Sequence, residues 1–132
     1  MKYGATVKNQ PGGHQVTLKA GEKEQTLTIL PKETGGSSVT GGELLFLALA
    51  TCYCNDIYRE AAARNIRVTG VDVEVEGDFE AAGLPASNIV YRARVRADAS
   101  DEQIRALMRH TDTVAEIQNT LRLGTPVKME FV

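Results

Sequence analysis

The stretch that decides the fold of this 132-residue chain is Thr40-Gly41-Gly42-Glu43-Leu44-Leu45-Phe46-Leu47-Ala48-Leu49-Ala50-Thr51-Cys52-Tyr53-Cys54. Its first four residues have the spacing of a capping box, in which the Thr40 hydroxyl accepts from the backbone N–H of Glu43 and the Glu43 carboxylate accepts from that of Thr40. The run that follows is apolar almost all round and continues to residue 63, which predicts a long buried helix. One chain of this size can barely enclose such a helix, a first indication of an oligomer.

Strands are predicted on both sides of this helix. Three short antiparallel strands precede it, over residues 2–8, 14–20 and 25–30, and two longer strands follow it, over residues 67–78 and 89–97. The two longer strands alternate between apolar and charged residues, with an acidic row on one and an arginine row on the other. Opposite charges on neighbouring strands favour antiparallel pairing with ion pairs across it.

Two more helices and a last strand complete the expected order. Capping boxes at Ser100–Gln103 and Thr113–Glu116 predict two helix starts, the second helix ending near residue 121 before Gly124. Residues 126–132 predict a final strand. The order β-β-β-α-β-β-α-α-β is α+β, and we expect a single domain over residues 1–132.

Composition excludes several classes of function. Hydrophobic residues are 42% and charged residues 24%, as in an ordinary soluble protein, and the net charge is −2. The acidic row would cancel the field of the arginine row, so we expect no nucleic-acid partner. No apolar run approaches the ~18 residues that span a bilayer. The N-terminus lacks the apolar stretch of a secretory signal, and a cytoplasmic location is the expectation.

The residue types that carry chemistry leave the cysteines as candidates. His14 and His110 are isolated, so we expect no metal site, and no glycine loop predicts a nucleotide cofactor. Cys52 and Cys54 stand at i and i+2 on the helix and point in different directions, which disfavours a disulfide between them. Either both are small buried hydrophobic residues, or one is a nucleophile that needs a lowered pKa and partial exposure.

Residues 42–53, with the Glu-Leu-Leu motif at Glu43-Leu44-Leu45 and Cys52 about two turns later, resemble the signature of the OsmC/Ohr family. Ile66-Arg67-Val68 before an alternating strand, the late His110 and the order of elements fit the same family. The chain is similar to a Glu-Leu-Leu subtype that lacks the second family cysteine. The resemblance implies antiparallel sheets packed around a long central helix, in an intertwined homodimer.

The resemblance also implies a reaction. In the family a helix cysteine, here Cys52, attacks a peroxide and becomes a sulfenic acid, a second cysteine forms a disulfide, and an Arg and a Glu hold the first thiolate. This chain has Thr111 where the second cysteine is expected, and its first arginine is Arg59. Glu43 has two interpretations, a catalytic role at Cys52 and the helix cap. Cys54 is a possible second thiol or a packing residue.

Three functions remain open on the sequence, the third of them being that of a plain structural dimer. The first is an OsmC-like thiol-dependent redox protein that reduces organic hydroperoxides or hydrogen peroxide through Cys52, in a single-cysteine cycle with an external thiol reductant. The second is a catalytically degenerate OsmC-fold dimer that binds a small apolar ligand in a stress response. Tyr53 and Asp56 are the residues expected to line a pocket. None of these functions calls for a metal or an organic cofactor.

Overall fold

The computed structural model describes residues 1–132 and has the expected α+β composition, with antiparallel sheets and three helices. In chain order its elements are β1 (Tyr3–Gln10), β2 (Gly13–Ala20), β3 (Lys23–Leu27), α1 (Gly41–Ala63), β4 (Val68–Asp78), β5 (Ser87–Ala97), α2 (Asp101–Val114) and α3 (Glu116–Arg122). The chain divides into two compact units, Met1–Leu44 and Leu45–Val132. The single-domain assignment stays a prediction.

The first unit contains an antiparallel sheet in the order β1-β2-β3. Pro11 and Gly12 connect β1 to β2, and Gly12 has a φ of 79°, which suits the third position of a type II turn that follows a proline. The predicted meander is confirmed, although β3 begins two residues earlier than expected and ends at Leu27. The capping box of α1 is confirmed too: the Thr40 N–H lies 2.6 Å from the Glu43 carboxylate, and the Glu43 N–H lies 3.2 Å from the Thr40 hydroxyl.

The core of the second unit lies between α1, α2 and the β4–β5 pair. It consists of Tyr53, Ile57, Ala61 and Leu107, with partly buried side chains of β4 and β5 packed against them. The three α1 residues recur every four positions, so the helix buries a stripe rather than its whole circumference. Leu47, on the same helix, is 56% exposed. The all-round burial expected of this helix is therefore not found within one chain.

Strands β4 and β5 pair antiparallel along their whole length. Their charged rows meet as predicted, with Arg96 2.6 Å from Asp72 and Arg92 3.0 Å from Glu76. These pairs are solvent-exposed, so each contributes little to stability. Their main consequence is that the charges of Arg92 and Arg96 are neutralised.

Two predicted elements are wrong. Thr113 does not cap α3: α2 continues through Val114, the N-cap of α3 is Ala115 without a side-chain cap, and the Thr113 hydroxyl instead donates to the carbonyl of His110. A serine or threonine inside a helix commonly bonds back to the preceding turn in this way. Residues 126–132 do not form a strand and pair with none of the five strands of the chain.

None of the three helices combines the length and the apolar character that crossing a bilayer requires.

Candidate functional site

Three residues of α1, namely Cys52, Asp56 and Arg59, place their side chains on one face of the helix. Asp56 follows Cys52 by four residues and Arg59 follows it by seven, a spacing that aligns side chains along a helix. Glu116, the first residue of α3, completes the group from the other side. We call Cys52, Asp56, Arg59 and Glu116 the Cys52 cluster.

The polar contacts of the Cys52 sulfur are with acceptors and one backbone amide. The thiol is placed to donate to Asp56 Oδ2 at 3.4 Å and to Glu116 Oε2 at 3.7 Å, and the sulfur accepts from the backbone N–H of Ile117. No lysine, arginine or histidine nitrogen of this chain hydrogen-bonds to the sulfur. The Arg59 guanidinium contacts the carboxylates instead, with Nη1 3.1 Å from Asp56 Oδ1 and 2.6 Å from Glu116 Oε1.

This environment disfavours a resting thiolate. Burial of the thiol, its hydrogen bond to Asp56 and the negative charges of Asp56 and Glu116 raise the pKa of Cys52 to about 11, against the lowering effect of the Ile117 amide. A peroxidatic cysteine held as a thiolate needs the opposite field. In this chain Cys52 is therefore a neutral thiol next to two carboxyl groups.

The two carboxyl groups of the cluster differ in proton affinity. Asp56 is buried, and burial raises its pKa to about 6, together with the Glu116 carboxylate, to which Asp56 can donate only when it is protonated. Glu116 is more exposed; its role as acceptor from protonated Asp56 and its ion pair with Arg59 hold its pKa below the ordinary range. Asp56 is consequently the better proton acceptor of the two.

A second pair of residues, Glu60 and His110, extends the hydrogen-bond network of Arg59. Glu60 accepts from Arg59 Nε at 2.9 Å, and its other oxygen lies 2.6 Å from His110 Nε2. The contacts with Arg59 and His110 lower the pKa of Glu60. The network thus runs from His110 through Glu60 and Arg59 to the carboxylates beside Cys52.

The cluster also brings together side chains of metal-binding type. One atom each of Cys52, Asp56 and Glu116 lies within 4.8 Å of the others. The guanidinium of Arg59 contacts both carboxylates and already supplies the positive charge that a cation would bring there. The arrangement is better described as a thiol–carboxylate–guanidinium cluster than as a metal centre.

The other residues expected at the site lie apart from the cluster. Glu43 is engaged in the cap of α1, and its contacts with Thr40 lower its pKa. Cys54 is free and lines an open cavity of about 250 Å³ with Thr51, Asn55 and others. Tyr53 lies in the core, stacked at an angle on Tyr91 with ring centroids 4.9 Å apart, and lines a second cavity of about 370 Å³.

The sequence indicated Cys52 as a candidate nucleophile and Asp56 only as a pocket residue, and it did not predict the contacts that Arg59 and Glu116 make in the cluster. Arg59 could have been found, because it stands on the same helical stripe as Cys52. Glu116 could not, since 64 residues separate it from Cys52 and only the tertiary fold joins them. Thr111, at the place of the second family cysteine, is fully buried and donates to the carbonyl of Leu107.

The chain is similar to one known protein family and to several solved structures. A family model described as OsmC-like protein matches residues 34–130. An OsmC-like protein from Mycoplasma pneumoniae is 18% identical, with 92% of this chain and 89% of that one covered and a TM-score of 0.63. An OsmC-like protein of unknown function from Vibrio cholerae is 16% identical over 91% and 93% of the two chains, with a TM-score of 0.64. An organic hydroperoxide resistance protein from Elizabethkingia anophelis is 13% identical over 92% and 89%, with a TM-score of 0.56. No curated protein sequence matches the chain.

Proposed function

The chain belongs to the OsmC-like family, and we propose that it is a thiol-dependent redox protein that reduces organic hydroperoxides or hydrogen peroxide through Cys52. The observation that carries the proposal is the contact of the partly exposed Cys52 sulfur with a proton acceptor, the Asp56 carboxylate, whose Oδ2 lies 3.4 Å away. The Elizabethkingia anophelis protein, which shares the fold, is by its description an organic hydroperoxide resistance protein. That description supports the same class of substrate here.

The proposed cycle uses one cysteine. Cys52 takes an oxygen atom from the peroxide to become a sulfenic acid, and the peroxide leaves as an alcohol or as water. An external thiol then condenses with the sulfenic acid, releasing water and leaving a mixed disulfide, which a second thiol reduces back to Cys52. Thr111 cannot act as a resolving residue, and Cys54 stands two positions from Cys52 on a regular helix, where the two side chains diverge.

The assembly and location that we propose are a homodimer in the cytoplasm. Apolar side chains left exposed on the single chain support the dimer, among them Leu47 on α1 and the alternating Val127, Met129 and Phe131 near the C-terminus. Large apolar side chains that are this exposed on a single chain are typical of surfaces that another protein copy covers.

The alternative function, a degenerate member that binds a small apolar ligand, also has an observation in its favour. The raised pKa of Cys52 leaves little thiolate at neutral pH, and an unreactive thiol is what a non-catalytic member would carry. The cavity beside Tyr53 and Tyr91 could hold a small molecule, although Arg109 and Asp112 make its wall partly polar.

One experiment separates the two functions. The rate at which cumene hydroperoxide consumes the Cys52 thiol is measured in the full chain, in the Cys54→Ser variant, and in Cys52→Ser as the negative control. A rate well above that of free cysteine at the same pH, retained in Cys54→Ser and lost in Cys52→Ser, supports the proposed enzyme. A rate equal to that of free cysteine supports the ligand-binding alternative.

A further inference from the structure

The carboxylate of Asp56 is in contact with the atom that would attack the peroxide. Asp56 Oδ2 lies 3.4 Å from the Cys52 sulfur, with the thiol placed to donate to it. Both residues stand on α1 one helical turn apart, so the backbone fixes their separation. We propose that Asp56 is the general base that takes the thiol proton of Cys52 as the sulfur attacks the peroxide. This inference rests on the proposed function and adds a catalytic residue to it.

A base is needed because the cluster does not stabilise a thiolate in advance. Asp56 and Glu116 bring negative charge close to the sulfur. The Arg59 guanidinium pairs with these two carboxylates and does not contact the sulfur. The nucleophile must then form during the reaction, as in other sites where a neighbouring base activates a thiol or hydroxyl. The base must lie within hydrogen-bonding reach of the proton that it removes.

Asp56 is better suited to this role than Glu116. Asp56 is closer to the sulfur, 3.4 Å against 3.7 Å, and its side chain is 8% exposed against 59% for Glu116. The carboxylate of Glu116 is occupied by Arg59 at 2.6 Å, which makes it a poor proton acceptor. The groups that face Asp56 are Cys52 and Arg59 from α1 and Glu116 from α3. Burial and Glu116 raise the pKa of Asp56, so it is ionised at neutral pH yet more basic than an ordinary aspartate.

The step balances in atoms and electrons. A sulfur lone pair of Cys52 forms a bond to the terminal oxygen of the hydroperoxide ROOH, and the O–O bond breaks with its electron pair on the RO oxygen. Asp56 accepts the S–H proton, and the oxygen bound to sulfur keeps its own proton. Asp56 then passes its proton to the departing oxygen. The products are the sulfenic acid of Cys52 and ROH, sulfur is oxidised by two electrons, and Asp56 is returned to its ionised form.

The test compares two reactions of the same thiol in the full-length protein with the Cys54→Ser background. Oxidation by cumene hydroperoxide needs both a nucleophile and a proton for the leaving oxygen, whereas alkylation by iodoacetamide responds to the thiolate fraction alone. For Asp56→Asn at pH 7 we expect the oxidation rate to fall by ~100-fold or more, the usual contribution of a general base. We expect the alkylation rate to stay constant or rise, because a negative charge beside the sulfur has been removed. The charge-matched Asp101→Asn, at an exposed position of α2, should change neither rate.

The unaltered protein provides a second measurement that needs no Asp56 variant. Its oxidation rate should rise with pH through the titration of Asp56, near pH 6, and then level off, since the base must be ionised to accept a proton. Its alkylation rate should keep rising up to the alkaline titration of the thiol. An Asp56→Asn protein whose two rates change in parallel, or an oxidation profile that follows the alkylation profile, overturns the general base and leaves the peroxidase intact. Oxidation of the unaltered protein no faster than that of free cysteine overturns both.

Discussion

Replacing Glu116 with glutamine should lower the pKa of Cys52 and make its thiol react faster with alkylating agents. Glu116 Oε2 lies 3.7 Å from the sulfur, and the side chain is 59% exposed, so a dielectric close to that of water is appropriate for its charge. At that distance one unit charge in water contributes roughly 1.1 kcal/mol, which is about 0.8 of a pKa unit. The thiolate fraction well below the pKa should then increase about sixfold.

The assay is the second-order rate of iodoacetamide addition at pH 8 in the Cys54→Ser background, where only Cys52 reacts. The rate ratio at pH 8 is informative because the thiol of the unaltered protein, with a pKa of about 11, is almost entirely protonated there. The substitution also frees Arg59 from its 2.6 Å contact, which makes the cluster more positive and acts in the same direction. Glu102→Gln removes the same charge from an exposed position in the first turn of α2 and serves as the control.

Two results would refute this electrostatic reasoning. A Cys52 pKa at or below the ordinary value for a thiol in the unaltered protein would mean that a cation, contributed by a second copy of the chain, outweighs both carboxylates. An unchanged or slower rate in Glu116→Gln, with Glu102→Gln equal to the unaltered protein, would mean that Glu116 does not act on the sulfur.

Three further outcomes are expected. Glu43→Ala removes one half of the capping box with Thr40 and should lower the midpoint of urea unfolding slightly while the peroxide rate per Cys52 is unchanged; a lost rate at unchanged stability would instead support a catalytic Glu43. Leu107→Ala empties a fully buried core position and should cost ~2–5 kcal/mol, against less than about 0.5 kcal/mol for the exposed Leu123→Ala, and equal costs would contradict the described core. Deletion of residues 126–132 removes an exposed apolar segment and should shift the proposed homodimer towards monomer in sedimentation velocity, whereas a full-length protein that is already monomeric would contradict the dimer.

Local features of this fold could be predicted from the sequence, and features that need a distant partner could not. The capping boxes at Thr40 and Ser100 form because each closes within four residues. The box at Thr113 fails because α2 simply continues through it, although its spacing is correct. The alternation of residues 126–132 is equally correct as a pattern, but a strand also needs a paired neighbour, and within the single chain this segment pairs with none of the five strands.

The same distinction applies to the site. Cys52 and Asp56 stand one turn apart on a single helix, so their contact follows from α1 alone. The contribution of Glu116 depends on how α3 packs, and no local pattern predicts it. Because burial, Asp56 and Glu116 together keep the thiol protonated, the sequence could indicate Cys52 as the proposed nucleophile but could not predict its protonation state.

The negative potential at the Cys52 sulfur also affects how far the sulfur can be oxidised when no second cysteine forms a disulfide with it. A thiol is most open to oxidation in its ionised form, and the same holds for the step from sulfenic to sulfinic acid, which is irreversible in most proteins. The carboxylates of Asp56 and Glu116 oppose ionisation of the thiol, and in the proposed cycle the same charges would also oppose ionisation of the sulfenic acid. With Thr111 unable to trap the sulfenic acid as a disulfide, this field would slow over-oxidation while an external thiol arrives. A neutral thiol beside a base therefore suits a single-cysteine cycle better than a permanently ionised one.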